Sequence, residues 1–130
     1  MILGLISCMA PAIAMGNRVI LSASEPFPLS ATDFVQVLET SDVPAGVVNI
    51  LTGPQSDIAD PLARHMDVDA VWSFGAGELS GIIGKGSAHN LKRTWVNNGI
   101  ARDWHGTAGE GREFLQAATE VKNIWVPYGE

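Results

Sequence analysis

The sequence predicts an α/β fold: an open, mostly parallel sheet flanked by helices. Short β-branched runs recur after turn residues, segments of helical period lie between them, and the spacing matches strand–helix–strand crossovers. The chain's 130 residues are enough to bury one core.

Composition narrows the function classes. The chain is 46% hydrophobic and 17% charged, whereas about 25% charged is usual for a soluble domain. Part of its apolar surface is therefore expected to be covered by another subunit or domain. A net charge of −6, with eight Lys and Arg thinly spread, gives no basic patch for a nucleic-acid backbone. Cys8 is the single cysteine, so no internal disulfide forms and a reducing cytoplasm is the expected compartment.

Met1–Met15 is apolar and ends in small residues, a profile shared with secretion signals. No Lys or Arg precedes Arg18, and Pro11 interrupts the run. It is also shorter than the ~20 residues a membrane span needs. A buried helix is the expectation, ahead of a signal peptide or an anchor. Val19-Ile20-Leu21 follows Gly16-Asn17 as a buried strand. After Pro26 and Pro28, Ser30 is a candidate N-cap for a helix presenting Phe34, Val37 and Leu38 on one face.

Pro44 and Gly46 punctuate the chain before a second strand, Val47–Leu51, which Thr52-Gly53-Pro54 ends. A helix from about Ser56 to His65 carries Ile58 and Leu62 inward, and Val71–Phe74 is the third strand. Gly75-Ala76-Gly77 leads into a segment ending near Asn90, weakened by Gly81, Gly84 and Gly86. Thr94-Trp95-Val96 is a fourth strand, Asn98–Gly109 a loop, and Arg112–Thr119 a helix with Phe114 and Leu115 inward. Val121–Val126 is expected to close the chain as a strand.

Gly75-Ala76-Gly77-Glu78-Leu79-Ser80-Gly81 is the nearest approach to a dinucleotide fingerprint. Its context, strand before and helix after, suits a phosphate cradle. Its third glycine falls one residue late, so a tight strand-to-helix turn is the plainer reading. His65, His89 and His105 share no metal-ligand spacing, and the acidic turn at Asp67 and Asp69 explains the polar residues near His65. Cys8 has no neighbouring base or cation in sequence, so its thiol is expected to be inert. The four tryptophans, at positions 72, 95, 104 and 125, fit core or interface packing better than base stacking, which wants interleaved cations.

Longer stretches carry a family resemblance. Ala10–Asn17 with Val19-Ile20-Leu21, then Ser24-Glu25, resembles the IAPALAAGNTVVLKPSE segment of aldehyde dehydrogenases. Val43–Gly53 is similar to the family's LPPGVVNVVTG, and Asp67–Glu78 to its HPDVDKIAFTGSTEVG. Trp95-Val96-Asn97 resembles a WVN element, and Gly111-Arg112-Glu113 with Glu120–Val126 resembles the GRE and TEVKTVWI tail. The family's GQxC nucleophile loop, its LELGG general-base segment and its ExFGP segment find no counterpart. The PWN element would fall before Met1.

The resemblance implies a Rossmann-like, coenzyme-domain-like unit over residues 1–92. Residues 93–130 would carry the WVN strand, loop, helix and terminal oligomerisation strand within one compact whole. The pattern is most similar to the catalytically degenerate C-terminal module of the long two-module members. Ser22, Glu25, Gly53 and Gly75 occupy the family's coenzyme positions. Ser22 stands in place of a ribose-binding lysine, and Ala76 in place of a serine. NAD(P) is the implied cofactor, weakened by both replacements. No catalytic residue is assigned.

The expected role is structural, with Val121–Val126 pairing with a second copy or with a catalytic aldehyde dehydrogenase module. The parent reaction is NAD(P)-dependent oxidation of an aldehyde to a carboxylic acid. A free-standing NAD-binding module is the alternative reading.

Overall fold

All four strands expected before residue 97 form, each only four residues long. In the computed structural model, which describes residues 2–129, they are β1 (Val19–Ser22), β2 (Val48–Leu51), β3 (Ala70–Ser73) and β4 (Arg93–Val96). The helices are α1 (Ile2–Ala14), α2 (Leu29–Glu39), α3 (Gln55–Arg64), α4 (Gly77–Ser87) and α5 (Arg112–Ala117), with a 3-10 turn at Thr107–Gly109. β1 runs parallel to β2, with Val19 opposite Val48, and β3 runs parallel to β4, with Ala70 opposite Arg93. The result is two parallel two-stranded ribbons, each closed by its own crossover helix, where the sequence reading expected one sheet.

Local chemistry sets the boundaries. α1 ends in a Schellman motif: the Gly16 N–H donates to the Ile13 carbonyl (2.8 Å) and the Asn17 N–H to that of Ala12 (3.0 Å). Gly16 sits at φ +84° there, a conformation that glycine adopts freely. The Asn17 side-chain amide donates to both Ala12 and Ala118 carbonyls, at 3.0 and 2.9 Å, and so pins the end of α1 to the end of α5. α2 starts earlier than expected. Pro28, at φ −72° and ψ −28°, is its N-cap, and the Ser30 hydroxyl donates to the Phe27 carbonyl instead of capping. A proline already fixed at helical φ extends the first turn upstream.

α3 and α4 pack closely, with Gly86 against Ala63: a Cβ built on Gly86 would lie 2.7 Å from the Ala63 Cβ. Lys92 is 8% exposed, and its ammonium donates to the Leu62 (3.1 Å) and His65 (2.5 Å) carbonyls at the C-terminus of α3. The second core is aromatic. Phe114 is fully buried, with ring centroids 5.1 Å from Trp95 and 6.3 Å from Trp72. The Arg102 guanidinium lies over Phe74, Trp95 and Phe114 at 4.9–5.0 Å and pairs with Glu113.

Three expectations are corrected. Val37 and Leu115, read as inward, are 55% and 38% exposed. The Val121–Val126 strand does not form: the described residues after Thr119 have no regular structure. Val121, Ile124, Trp125 and Val126 are 71–93% exposed. A β-prone segment needs a ladder partner for its backbone groups, and the described residues offer it none. No helix among them is long and apolar enough to cross a membrane.

Candidate functional site

Parallel strands deliver their C-terminal ends to a common edge, where α/β folds place their ligands. Here that edge gathers Glu25, Gly53 and Gly75 around one residue not singled out from sequence, Gln55. β1 ends at Ser22, and the next backbone N–H, of Ala23, donates to the Leu51 carbonyl at 2.9 Å, which brings the Glu25 loop beside the end of β2. Gly53 turns the chain out of β2 at φ +150°, and Pro54 then caps α3. That turn aims the first amide of α3 back at the β1 loop, where a Glu25 carboxylate oxygen accepts the Gln55 N–H.

The Gln55 side chain continues across the edge. Its amide nitrogen donates to the Ala23 carbonyl (3.4 Å), and its oxygen lies 3.3 Å from where a Cβ on Gly75 would sit. Leu79 closes the other side of Gly75, with Cδ1 at 3.0 Å from the same point. Ser22 is not drawn into this cluster and stays on the exposed face of β1. Gln55 was legible only in part. A polar residue opening a helix directly after a strand-ending Gly-Pro is the available signal, but its partner lies thirty residues upstream.

The N-terminus of α4, the phosphate cradle of the sequence reading, is packed. The Asn98 N–H donates to the Ser80 hydroxyl at 3.2 Å, and a Cβ on Gly99 would lie 3.2 Å from the Gly77 nitrogen. Two shallow hollows, of about 130 and 230 Å³, are lined by Asp69, Lys92 and Glu120 and by Trp72, Trp95 and Gln116. Neither touches Ser22, Glu25, Gly53 or Gly75.

Cys8, on α1, is half-buried. Burial pushes its thiol up to about 12, opposed only in part by the positive charge of Arg102. A thiol held that high is not a nucleophile at neutral pH. Among the described residues, no three His, Cys, Asp or Glu side chains could hold a metal ion together.

Residues 2–101 match the aldehyde dehydrogenase family model. The chain is 36% identical over 98 residues to the NADP/NAD-dependent aldehyde dehydrogenase PuuC of Escherichia coli, covering 73% of this chain and 20% of that protein. It is 34% identical over 84 residues to betaine aldehyde dehydrogenase of Bacillus subtilis, covering 65% and 17%. The fold superposes on the crystal structure of an aldehyde dehydrogenase from Bartonella henselae with a TM-score of 0.67 at 28% identity, covering 71% of this chain and 19% of that one. The chain thus spans about a fifth of the length of the relatives it matches. With the family match covering residues 2–101, the chain belongs to the aldehyde dehydrogenase family.

Proposed function

We propose that this chain is a non-catalytic, coenzyme-domain-like segment of an aldehyde dehydrogenase, acting in structure and subunit association. The parent reaction is the NAD(P)-dependent oxidation of an aldehyde to a carboxylic acid. Its first step is attack by a cysteine thiolate on the carbonyl carbon. The observation that carries the proposal is the state of Cys8. The chain's one thiol is pushed up to about 12 by burial on α1, so almost none is thiolate at neutral pH.

The implied cofactor fits this chain poorly. The helix amide beside Gly53 is already bonded to Glu25, the space against Gly75 is filled by Gln55 and Leu79, and the Asn98–Gly99 turn abuts the start of α4. A free-standing nucleotide-binding module would need that same edge to be open.

Association is proposed through residues 121–126. This segment is rich in apolar residues and exposed, and its missing ladder is what a second copy or a catalytic aldehyde dehydrogenase module would supply. The cytoplasm is the proposed compartment, consistent with the lone cysteine. Light scattering of the full chain and of a deletion lacking 120–130, each with and without millimolar NAD, tests the reading. The expected result is a dimer of the full chain, indifferent to NAD, and a folded monomer after deletion. A monomeric full chain that melts higher with NAD would replace this reading with the nucleotide-binding module.

A further inference from the structure

Two of the family's coenzyme positions, Glu25 and Gly75, are linked through Gln55. We infer that Glu25 and Gln55 form an internal latch, which takes up the first amide of α3 and the open side of Gly75 and draws together the β1 loop, the start of α3 and the turn after β3. Three contacts define it. The Glu25 carboxylate accepts the Gln55 backbone N–H, the Gln55 side chain donates to the Ala23 carbonyl, and its oxygen rests against the bare Cα side of Gly75.

Each contact takes up a group that a bound dinucleotide would need. A carboxylate at a helix N-terminus satisfies the first amide and meets the positive end of the helix dipole, the two features that otherwise attract phosphate. The negative charge of Glu25 would also repel a pyrophosphate at close range. Gly75 offers the only backbone in the turn after β3 that lacks a side chain until Gly77, and its open side is where Gln55 lies. The glycine that permits close approach of a ligand here permits close approach of an amide side chain.

The latch accounts for Glu25 in a site where Ser22 stands aside. Ser22 is exposed on β1 and outside the cluster, whereas Glu25 makes a contact on which the register between the β1 loop and α3 depends. The inference stands apart from the association role, because it concerns only the strand-end edge and makes no use of residues 121–126.

Backbone-amide exchange and shift mapping by NMR on the full chain test it, using wild type, Glu25→Ala and Glu25→Gln. The glutamine variant keeps an acceptor oxygen without the charge. The Gln55 amide is expected to exchange roughly three- to tenfold faster in E25A and to keep most of its protection in E25Q, the range for losing one hydrogen bond at a surface-exposed helix start. Titration of wild type with NAD or NADP to millimolar concentration is expected to leave the Gly53, Gln55 and Gly75 amides unshifted. Saturable shifts at those three amides in wild type would overturn the latch, as would wild-type exchange at Gln55 in E25A. Should E25A fail to fold, the wild-type protection of Gln55 decides, because an uncapped first-turn amide exchanges freely.

Discussion

Replacing Phe114 by alanine removes the centre of the aromatic core. Its side chain is fully buried and is surrounded by Trp95, Trp72, Phe74 and Trp104, with ring centroids at 5.1, 6.3, 6.4 and 6.5 Å. Truncating a buried Phe costs about 3–5 kcal/mol. Four ring neighbours lost at once place this site near the top of that range, since a single aromatic pair contributes about 0.5–1.5 kcal/mol beyond its area. Arg102, 4.9 Å from the same ring, would lose a cation–π partner as well.

A loss of about 4–5 kcal/mol is a large share of the ~5–15 kcal/mol available to a domain. At this chain length it should lower Tm by about 15 °C. The assay is urea unfolding followed by tryptophan fluorescence and circular dichroism, with Phe114→Leu as the volume-sparing control at about 1.5 kcal/mol. The emission change should report Trp72, Trp95 and Trp104, because Trp125 is already 93% exposed. A loss below about 1 kcal/mol with an unchanged m value would refute the reading of Phe114 as the centre of the aromatic core.

Two further outcomes follow from packing and titration. The Cys8 thiol is raised in the fold, so between an ordinary thiol value near 9.0 and about 12 the folded state holds the extra proton. Stability should therefore be intact below that window and fall by up to about 1.4 kcal/mol per pH unit through it, a slope that Cys8→Ala removes from alkaline urea melts. On α4, Gly86→Ala should destabilise by about 1–3 kcal/mol, because its Cβ would overlap Ala63. Gly81→Ala meets open space and should stabilise by about 0.5–1 kcal/mol in thermal melts; equal effects at the two positions would contradict the α3–α4 packing.

The strands were legible because β-branched runs such as Val19-Ile20-Leu21 and Val47-Val48 are bracketed by glycine and proline, a local signal that tertiary context does not overturn. The helices were legible as periods but not always as ends. Ser30 has the chemistry of an N-cap, yet Pro28 had already set a helical φ two residues earlier. Arg102 was invisible because it lies in a loop without periodicity, and its aromatic box is assembled from the residue after β3, from β4, from α5 and from the loop itself. Lys92 was passed over for the same reason: nothing local shows that its ammonium will meet the last carbonyls of α3. In the candidate site the glycines were readable, since turns demand them. Gln55 was readable only as a polar residue opening a helix, because its role depends on Glu25 and Gly75 arriving from the loops after other strands.

The terminal segment differs from these cases in kind. Its β-branched and aromatic residues read as a strand, yet the described residues leave it unpaired. Fully burying Val121, Ile124, Trp125 and Val126 would contribute about 6–12 kcal/mol at ~1.5–3 per side chain. Fixing the backbone of the segment opposes this by a similar amount, at about 1–2 kcal/mol per residue. The two nearly cancel before association itself is charged about 4 kcal/mol or more in lost translational and rotational freedom. The tail alone is therefore too weak to hold a dimer. Stable association needs further apolar surface buried at the same time, and the chain has it in Ile20, Phe27, Leu29 and Leu51, which are 41–73% exposed along β1, β2 and the start of α2. An interface that joins the tail to that face would bind by apolar packing over a broad area. The strand-end edge meanwhile spends its polar groups on itself, through Glu25, Gln55 and the Ala23 carbonyl.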